Sequence, residues 1–311
     1  MQQLLDCIFE PVELEDYSRI YRYTSAYGEG SCQHSPVSMY SLSEKYADCI
    51  CERDGFLYTL RSRLCDETYR VYLAPLGGGD IKAAFERLLT DAGQYGKKVK
   101  FLSLTARTAA ALEEALPGRF AFQEDRDLAE YLYRADVMAA FSGGALRRRR
   151  TQIHNFWKQF GSRASIADIC PANFPEVLAF AQKWLELNRE THDAHTLERE
   201  ARMVENQIRH WDALRLSGVI LRLDGETGGI CYGTRLNDQV FDVIIEKADR
   251  RIPHSYKVLR QEATKRCVAE TGCKYINLEE DVGVPGLREL KCGYKPDNLL
   301  RKFIATEREF V

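Results

Sequence analysis

The chain has 311 residues, of which 45% are hydrophobic and 29% charged, and its formal net charge is -2. This length suits two cores of about 150 residues each better than one. Because the charges nearly balance, the molecule as a whole has no electrostatic field that would attract nucleic acid or acidic lipid. No apolar run approaches the roughly 20 residues that span a bilayer.

The N-terminus turns acidic at once and lacks the basic and then apolar pattern of a secretory signal. The ten cysteines form no C-x-x-C pair and no zinc-finger spacing. We therefore expect a cytoplasmic protein without an integral membrane segment or a metal site. Its cysteines are expected to be reduced, and most to be buried as small hydrophobic side chains.

Hydrophobic periodicity and turn signals predict an alternation of strands and helices along the whole chain. The first half is predicted to contain a helix at 14–23, strands at 49–61 and 69–74, a helix at 81–92, a strand at 99–104, a helix at 108–116 and a strand at 129–133. A basic helix at 145–160 follows the glycine pair at 143–144. The second half is predicted to contain a strand at 164–169, helices at 173–187 and 196–214, strands at 219–223, 229–236 and 239–246, a helix at 256–270 and a strand at 274–278.

Each half thus has a mostly antiparallel meander followed by strand, loop, helix and strand, the order of the acetyltransferase superfamily. We predict an α/β (α+β) fold of two tandem acetyltransferase-like lobes, each a mixed, mainly antiparallel sheet flanked by helices. The predicted boundaries are 1–144 for the N-terminal lobe, 145–161 for a connecting basic helix and 162–311 for the C-terminal lobe.

Several segments carry a family resemblance. Residues 277–296 read NLEEDVGVPGLRELKCGYKP, residues 246–248 read EKA at a strand end, and residues 131–156 join a tyrosine-rich strand to a basic helix. In this order they resemble the family of phosphatidylglycerol lysyltransferase C-terminal domains, which is similar in fold to the Fem-type peptidyltransferases. The resemblance implies transfer of an acyl or aminoacyl group, with aminoacyl-tRNA as donor, to an amine or hydroxyl acceptor.

The chain also departs from the family pattern. Ile244 stands where relatives tend to have a histidine, Thr151 and Gln152 replace an Asn-His pair, and His254 and Ser255 replace a Gly-Ala pair. Each change removes or replaces a polar group near the expected cleft, so the substrate need not be the one its relatives use.

The strand before the EKA motif carries the candidate catalytic residues. Because strand side chains alternate between faces, Asp242, Ile244 and Glu246 are expected to share one face, and Lys247 the other. We hypothesise that Glu246 accepts the proton of the attacking amine or positions that amine, with Asp242 beside it. The alternative is a strand-end ion pair of Glu246 with Lys247 or Arg250.

The resemblance and the concentration of charge in residues 277–296 imply the residues that bind donor or substrate. Arg288 and Lys291 lie three residues apart on a predicted helix and are expected to share a face. Structural salt bridges with Glu280 and Glu289 are the alternative role for these two residues. The predicted binding residues are Asn277, Asp281, Arg288, Lys291, Tyr294, Arg150, Lys247 and Tyr256.

The donor is left open between aminoacyl-tRNA and acyl-CoA. The loop before the helix at 256–270 has no glycine and contains Pro253, so a pyrophosphate cradle of backbone N–H groups is not expected there. Its Arg250, Arg251, His254 and Lys257 suit a phosphate as side-chain donors instead. Gly77 to Gly79 form a better backbone nest in the first half, although a glycine run at a turn is more often only a turn.

Three functions therefore remain open. The first is acyl or aminoacyl transfer to a small-molecule or peptide acceptor, with the acceptor end of a tRNA as partner. The second is a non-catalytic, degenerate transferase that acts as a binding module, and the third is an acyl-CoA-dependent N-acetyltransferase.

Overall fold

Residues 7–189 and 194–309 are described by the computed structural model, and they divide into two units. Unit 1 comprises residues 7–130, 280–288 and 299–309, and unit 2 comprises the described residues of 131–279 together with 289–298. Each unit is built from its own strands and helices, with two strands and one helix contributing to both.

Helices and strands alternate along both units. The helices are α1 (Tyr17–Tyr27), α2 (Pro36–Ser41), α3 (Ser43–Tyr46), α4 (Ile81–Gln94), α5 (Ala106–Ala115), α6 (Ala135–Ala140), α7 (Arg147–Phe160), α8 (Phe174–Asn188), α9 (Ala194–Arg209), α10 (Ser255–Thr271) and α11 (Pro285–Gly293). The strands are β1 (Glu10–Pro11), β2 (Asp48–Arg53), β3 (Phe56–Arg61), β4 (Tyr69–Tyr72), β5 (Leu76–Gly77), β6 (Lys98–Thr105), β7 (Phe120–Arg134), β8 (Ala164–Asp168), β9 (Ser217–Leu223), β10 (Glu226–Arg235), β11 (Val240–Ala248), β12 (Tyr275–Asn277) and β13 (Asn298–Glu307).

In unit 1 the strand order is β1, β2, β3, β4, β6, β13, and then the first part of β7. Strands β4 and β6 are parallel, and α4 makes the crossover between them. The apolar face of α4 packs on β6, where the Phe85 and Phe101 rings lie 5.5 Å apart edge to face. Burying this face gives the unit its main core.

In unit 2 the last residues of β7 are followed by β12, β11, β10, β9 and β8. Strands β11 and β12 are parallel and α10 makes their crossover, whereas the other neighbours that the described residues form are antiparallel. Helix α10 ends at Gly272, whose φ of +65° is accessible to glycine without strain. The short β12 starts immediately afterwards.

The predicted fold is confirmed, because each unit has an antiparallel meander followed by strand, helix and parallel strand. The predicted single strand at 49–61 is instead a hairpin, since Asp54 and Gly55 adopt positive φ and reverse the chain between β2 and β3. Strand β13 was not predicted. It pairs with β6 and so returns the end of the chain to unit 1.

Across residues 7–189 and 194–309, none of the helices has both the length and the apolar character needed to cross a bilayer.

Unit 1 contains a fully buried ion pair between Glu130 on β7 and Lys302 on β13. Lys302 Nζ lies 2.5 Å from Glu130 Oε1, and both side chains are 0% exposed. The carboxylate also accepts hydrogen bonds from Ser31 Oγ at 2.7 Å and from the Cys32 backbone N–H at 2.9 Å. Both oxygens of the buried carboxylate are therefore satisfied, as a buried charge requires.

We predict that Lys302→Met lowers the free energy of unfolding by about 3–5 kcal/mol, because it leaves the Glu130 carboxylate buried without its counter-ion. The matched control is Arg301→Met, which removes an exposed pair with Glu124 and should cost no more than about 1 kcal/mol. The measurement is urea unfolding of both variants. The double variant Glu130→Gln, Lys302→Met should recover much of the loss, and equal losses for Lys302→Met and Arg301→Met would contradict the assignment.

Candidate functional site

The candidate site in unit 2 is organised by a β-bulge in β11. Tyr232 on β10 pairs with Ile245 and Gly233 pairs with Val243, so Ile244 is an extra residue without a cross-strand partner in this register. Gly233 allows the two strands to approach here, since a Cβ at this position would lie 1.7 Å from the Asp242 carbonyl oxygen. The bulge breaks the alternation of side chains along β11.

This break corrects the expectation that Asp242, Ile244 and Glu246 share a face. Glu246 pairs with Cys231 and Asp242 with Thr234, and these two β10 residues point to opposite faces of the sheet. Glu246 therefore faces α10, whereas fully buried Asp242 lies on the other face.

Glu246 is held by a buried arginine. Its Oε2 accepts hydrogen bonds from Arg260 Nε at 2.9 Å and Arg260 Nη2 at 2.6 Å, and the side chains are 11% and 8% exposed. Glu246 Oε1 and Arg260 Nη1 are buried and have no hydrogen-bond partner among the described residues. An acceptor and a donor thus remain available at one buried ion pair, whose polar atoms are costly to leave unsatisfied.

The pair lies where β11 and β12 stop pairing. The two parallel strands are paired only over Val240–Asp242 and Tyr275–Asn277, and beyond this point β11 continues beside β10. Arg260 projects from α10, the crossover helix between the two strands. This places Glu246 and Arg260 at the opening between the parallel strands, at the carboxyl end where open α/β sheets bind ligands.

Tyr294 and further cations surround this ion pair. The centroid of the buried Tyr294 ring lies 4.4 Å from Arg260 Cζ and 4.2 Å from Arg149 Cζ. The Arg149 side chain also lies against Gly293, where a Cβ would come 2.6 Å from its Nη2. Tyr294 was predicted as a binding residue, and the structure places it beside Glu246 and Arg260.

The charged side chains near Tyr294 shift the pKa values of Lys257 and Arg260. Burial lowers the pKa of Lys257, and the charges of Arg149, Arg260 and Arg148 lower it further, with Glu246 acting in the opposite direction. Burial alone would lower the pKa of Arg260 as well, but Glu246 and Tyr294 raise it above its ordinary value. We name Arg148, Arg149, Lys257 and Arg260 the cationic cluster. It concentrates positive charge around a single carboxylate and suits an anionic ligand.

The other face of β11 carries a structural contact. Lys247 Nζ lies 2.5 Å from Glu200 Oε1 and 3.6 Å from the centroid of the Trp184 ring, and burial lowers its pKa. Trp184 Nε1 in turn donates to the Tyr256 hydroxyl at 3.1 Å. Lys247 and Tyr256, both predicted as binding residues, thus connect β11 and α10 to α8 and α9. The groove of about 720 Å³ between α8 and α9 is away from Glu246.

Asp281 and Arg288 belong to unit 1 and form an ion pair with each other. Asp281 is fully buried and accepts from Arg288 Nε at 2.9 Å, Arg288 Nη2 at 2.7 Å and Arg126 Nη1 at 3.1 Å. Arg288 also donates to Asp127 at 2.6 Å, and these two carboxylates raise its pKa above the ordinary value. Arg288 thus forms ion pairs with Asp281 and Asp127, not with the Glu280 and Glu289 named as its alternative partners from the sequence.

The remaining predicted residues of unit 2 stabilise the chain locally. Lys291 Nζ donates to the Leu278 carbonyl at 2.5 Å, and the Lys291 carbonyl accepts from the Tyr133 hydroxyl at 2.8 Å. Buried Asn277 accepts from the Glu279 N–H at 2.8 Å. Arg150 donates to the Phe141 and Gly143 carbonyls, which follow the end of α6. Lys291 and Arg288, expected to act together, are divided between the two units although both lie on α11.

The predicted glycine nest in unit 1 has a packing explanation. A Cβ at Gly77 would lie 2.3 Å from the Gly55 carbonyl oxygen, and one at Gly78 would lie 2.5 Å from the Tyr27 hydroxyl. The carboxylate of Asp80 caps α4 by accepting from the Lys82 and Ala83 N–H groups at 3.0 and 3.2 Å. The N–H groups of Lys82 and Ala83 in the first turn of α4 thus already have a carboxylate partner.

The loop before α10 in unit 2 is also stabilised by hydrogen bonds to one of its own residues, Asp249. Asp249 accepts from the Arg251 backbone N–H at 2.9 Å and from its guanidinium. Ser255 Oγ donates to the Asp249 carbonyl at 3.0 Å, and His254 adopts a φ of +67°. Arg251 is therefore engaged within the loop, whereas Lys257 lies with the cationic cluster.

A second polar cluster lies in unit 1. Ligand atoms of Cys32, Glu130 and Glu280 are within 4.8 Å of one another, which is a spacing compatible with a metal ion. However, Lys302 Nζ contacts Glu130 directly and supplies the positive charge that a metal ion would bring. Burial, followed by the charges of Lys302 and Arg61, lowers the pKa of nearby His34 to about 3. We interpret this cluster as structural.

Arg260 is the main site residue that the sequence did not indicate. It lies next to Leu259 of the predicted apolar stripe of α10, a position from which a charged side chain usually reaches solvent. Four consecutive residues here, from Val258 to Gln261, are buried instead. The one sequence signal for such a residue was the EKA motif. If its strand lies in the centre of a sheet, the glutamate of this motif is buried and requires a buried counter-ion.

Comparisons with known proteins agree with this fold. The family described as phosphatidylglycerol lysyltransferase, C-terminal, matches residues 26–306. A conserved protein of unknown function from Bacteroides thetaiotaomicron is 29% identical, covers 97% of this chain and 100% of its own, and has a TM-score of 0.90. L-PGS from Bacillus licheniformis is 14% identical over 98% of this chain and 95% of its own, with a TM-score of 0.67, which reports on the fold alone. Among curated proteins no match was found.

We predict that Arg149→Gln raises the pKa of Lys257, because it removes a neighbouring positive charge that lowers this pKa. The measurement is an NMR titration of the lysine side chains. The control is Arg251→Gln, whose charge is paired with Asp249 and which should leave the pKa of Lys257 unchanged. A Lys257 pKa that is the same in wild type and in Arg149→Gln would contradict the proximity of these cations.

Proposed function

The chain belongs to the phosphatidylglycerol lysyltransferase C-terminal family, and from this premise we propose that it transfers an acyl or aminoacyl group to an amine or hydroxyl acceptor, with the chemistry at Glu246 in unit 2. The observation that carries the proposal is the state of the Glu246 carboxylate. Arg260 fixes one oxygen, and the other is buried with no hydrogen-bond partner among the described residues.

A carboxylate held in this way suits proton transfer. Arg260 fixes its orientation through two hydrogen bonds to Oε2, so Oε1 is presented in a defined direction. An attacking amine or hydroxyl must lose a proton as it bonds to the acyl carbon, and a positioned carboxylate can accept that proton or orient the group that carries it. Glu246 acts in this role, and Arg260 is its positioning residue.

The cationic cluster supports an anionic donor. Arg148 and Arg149 on α7 and Lys257 and Arg260 on α10 are close enough that the three arginines shift the pKa of Lys257. Arginine and lysine bind phosphate oxygens through charge-assisted hydrogen bonds. Buried Tyr294 contacts both Arg149 and Arg260 and so connects the cations of α7 to those of α10. A donor with phosphate groups fits this arrangement.

The loops favour an aminoacyl donor over acyl-CoA. A coenzyme A pyrophosphate uses free N–H groups at a strand-to-helix turn. In unit 1 Asp80 caps these groups, and in unit 2 the corresponding loop contains Pro253 and is held by Asp249. An aminoacyl-tRNA acceptor end, bound through side chains, needs no such cradle. The acyl-CoA transferase and the binding module remain the alternatives that the experiments distinguish.

We expect aminoacyl-adenosine analogues to raise the Tm of the protein by a few degrees at saturation, because a ligand that binds only the folded state stabilises it. Coenzyme A and acetyl-CoA should give no shift. The measurement is thermal unfolding of wild type, Arg149→Gln and Arg251→Gln, where Arg149→Gln should lose the shift and Arg251→Gln should keep it. Stabilisation by coenzyme A esters alone would favour the acyl-CoA alternative.

We predict that Glu246→Gln lowers the rate of transfer by about 10²- to 10⁴-fold, because an amide cannot accept the proton. The assay uses the donor identified by thermal unfolding and a panel of amines. Glu226→Gln, an exposed change at the start of β10, is the control and should retain full activity. Full activity in a folded Glu246→Gln protein would exclude the role given to Glu246, and donor binding by wild type without transfer to any acceptor would favour a binding module.

A further inference from the structure

Two thiols of unit 2 lie in contact at the end of α10. Cys267 is in the last turns of the helix and Cys273 directly follows Gly272, and their Sγ atoms are 3.1 Å apart. The S–S distance of a disulfide is about 2.05 Å, so a movement of about 1 Å would bring these sulfurs to bonding distance. Both residues are free cysteines and are 2% and 4% exposed.

The local backbone fixes this approach. Gly272, with a φ of +65°, ends the helix and turns the chain back so that Cys273 returns beside Cys267. Thr271 Oγ1 accepts from the Cys273 N–H at 3.2 Å and donates to the Cys267 carbonyl at 2.8 Å. The two thiols are thus positioned by the helix cap itself.

A small cavity borders Cys267. It has a volume of about 10 Å³ and is lined by Cys267, Cys231 and Thr264, among others. This is close to the smallest volume that holds one water molecule. An oxidant that reaches the two buried thiols must therefore be small, and a bulky disulfide such as oxidised glutathione does not fit.

We propose that Cys267 and Cys273 form a redox-sensitive pair that hydrogen peroxide converts to a disulfide. The Cys273 thiolate attacks one peroxide oxygen, the O–O bond breaks, and the products are Cys273 sulfenic acid and hydroxide, which takes up the proton lost from the thiol. The Cys267 sulfur then attacks the sulfenic sulfur, the S–S bond forms and a second water leaves. Two thiols are oxidised and one peroxide is reduced to two waters.

The hydrogen bond between the thiols assigns the two roles. Donation from Cys267 lowers the pKa of Cys273 below its ordinary value, and the same bond raises the pKa of Cys267. The thiolate is the nucleophile, so Cys273 reacts first and Cys267 resolves the sulfenic acid. Cys231 borders the same cavity, but burial raises the pKa of its thiol well above the ordinary value, which keeps it protonated.

The disulfide ties the C-terminal end of α10 to the start of β12. Helix α10 carries Lys257 and Arg260 at its other end, and β12 carries Asn277. The bond closes a short loop and restricts the unfolded chain, so oxidation should raise the Tm. This effect does not depend on the proposed transferase activity.

The test is peroxide treatment of the folded 311-residue chain, followed by alkylation in denaturant, digestion with trypsin and mass spectrometry. Cleavage after Arg266 and Lys274 releases both thiols on one peptide, residues 267–274. We expect this peptide to be lighter by two hydrogens and resistant to alkylation until it is reduced, while Cys231 stays alkylatable. Exposed Cys292 reports that peroxide has acted. Alkylation of both Cys267 and Cys273 at a dose that oxidises Cys292 would overturn the proposal.

Three variants separate this mechanism from simple burial. In Cys267→Ser the sulfenic acid of Cys273 cannot be resolved, so a dimedone adduct should appear on Cys273. Cys231→Ser should still form the disulfide and show the rise in Tm on oxidation, a rise that Cys267→Ser should lose. Dimedone labelling of Cys267 in Cys273→Ser at a rate equal to that of Cys273 in Cys267→Ser would contradict the assigned roles.

Discussion

The β-bulge at Ile244 is the constraint on which the arrangement of unit 2 depends. One additional residue in β11 sends Glu246 toward α10 and Lys247 toward α8 and α9. Gly233 permits it, because any side chain there would collide with the Asp242 carbonyl. Without the bulge, Glu246 would share a face with Asp242 and would lie away from Arg260, Tyr294 and the other members of the cationic cluster.

Two of the buried ion pairs in the described residues differ in how many of their polar atoms have hydrogen-bond partners. In unit 1 the Glu130 carboxylate is satisfied on both oxygens by Lys302, Ser31 and the Cys32 N–H. In unit 2 the Glu246 carboxylate is satisfied on one oxygen only, and Arg260 keeps one nitrogen without a partner among the described residues. A buried charge gains little stability from its counter-ion after desolvation. The unsatisfied atoms of Glu246 and Arg260 are the observation on which the proposed ligand role of this pair rests.

The positions of the acidic residues also limit how a donor can bind. Asp80 caps α4 in unit 1, and Asp249 holds the loop before α10 in unit 2. The N–H groups of Lys82, Ala83 and Arg251 thus already have carboxylate partners within the protein. What remains is a set of side chains on α7 and α10, which can bind an anion without a glycine-rich turn.

The sequence by itself determined the fold class and most helices and strands, because hydrophobic periodicity and turn residues are local signals. The hairpin at Asp54 and Gly55 and the strand β13 were missed. A two-residue turn inside a long apolar run and a terminal strand each need their pairing partners to be recognised.

The tertiary structure decided which charged residues meet. It paired Arg288 with Asp281, engaged Lys247 with Glu200, and brought Arg260 to Glu246 across 14 positions of sequence. Strand alternation predicted the face of Glu246 incorrectly, since a single bulged residue reverses every side chain beyond it. The sequence therefore determined which residue types are present, and the register between β10 and β11 determined what they contact.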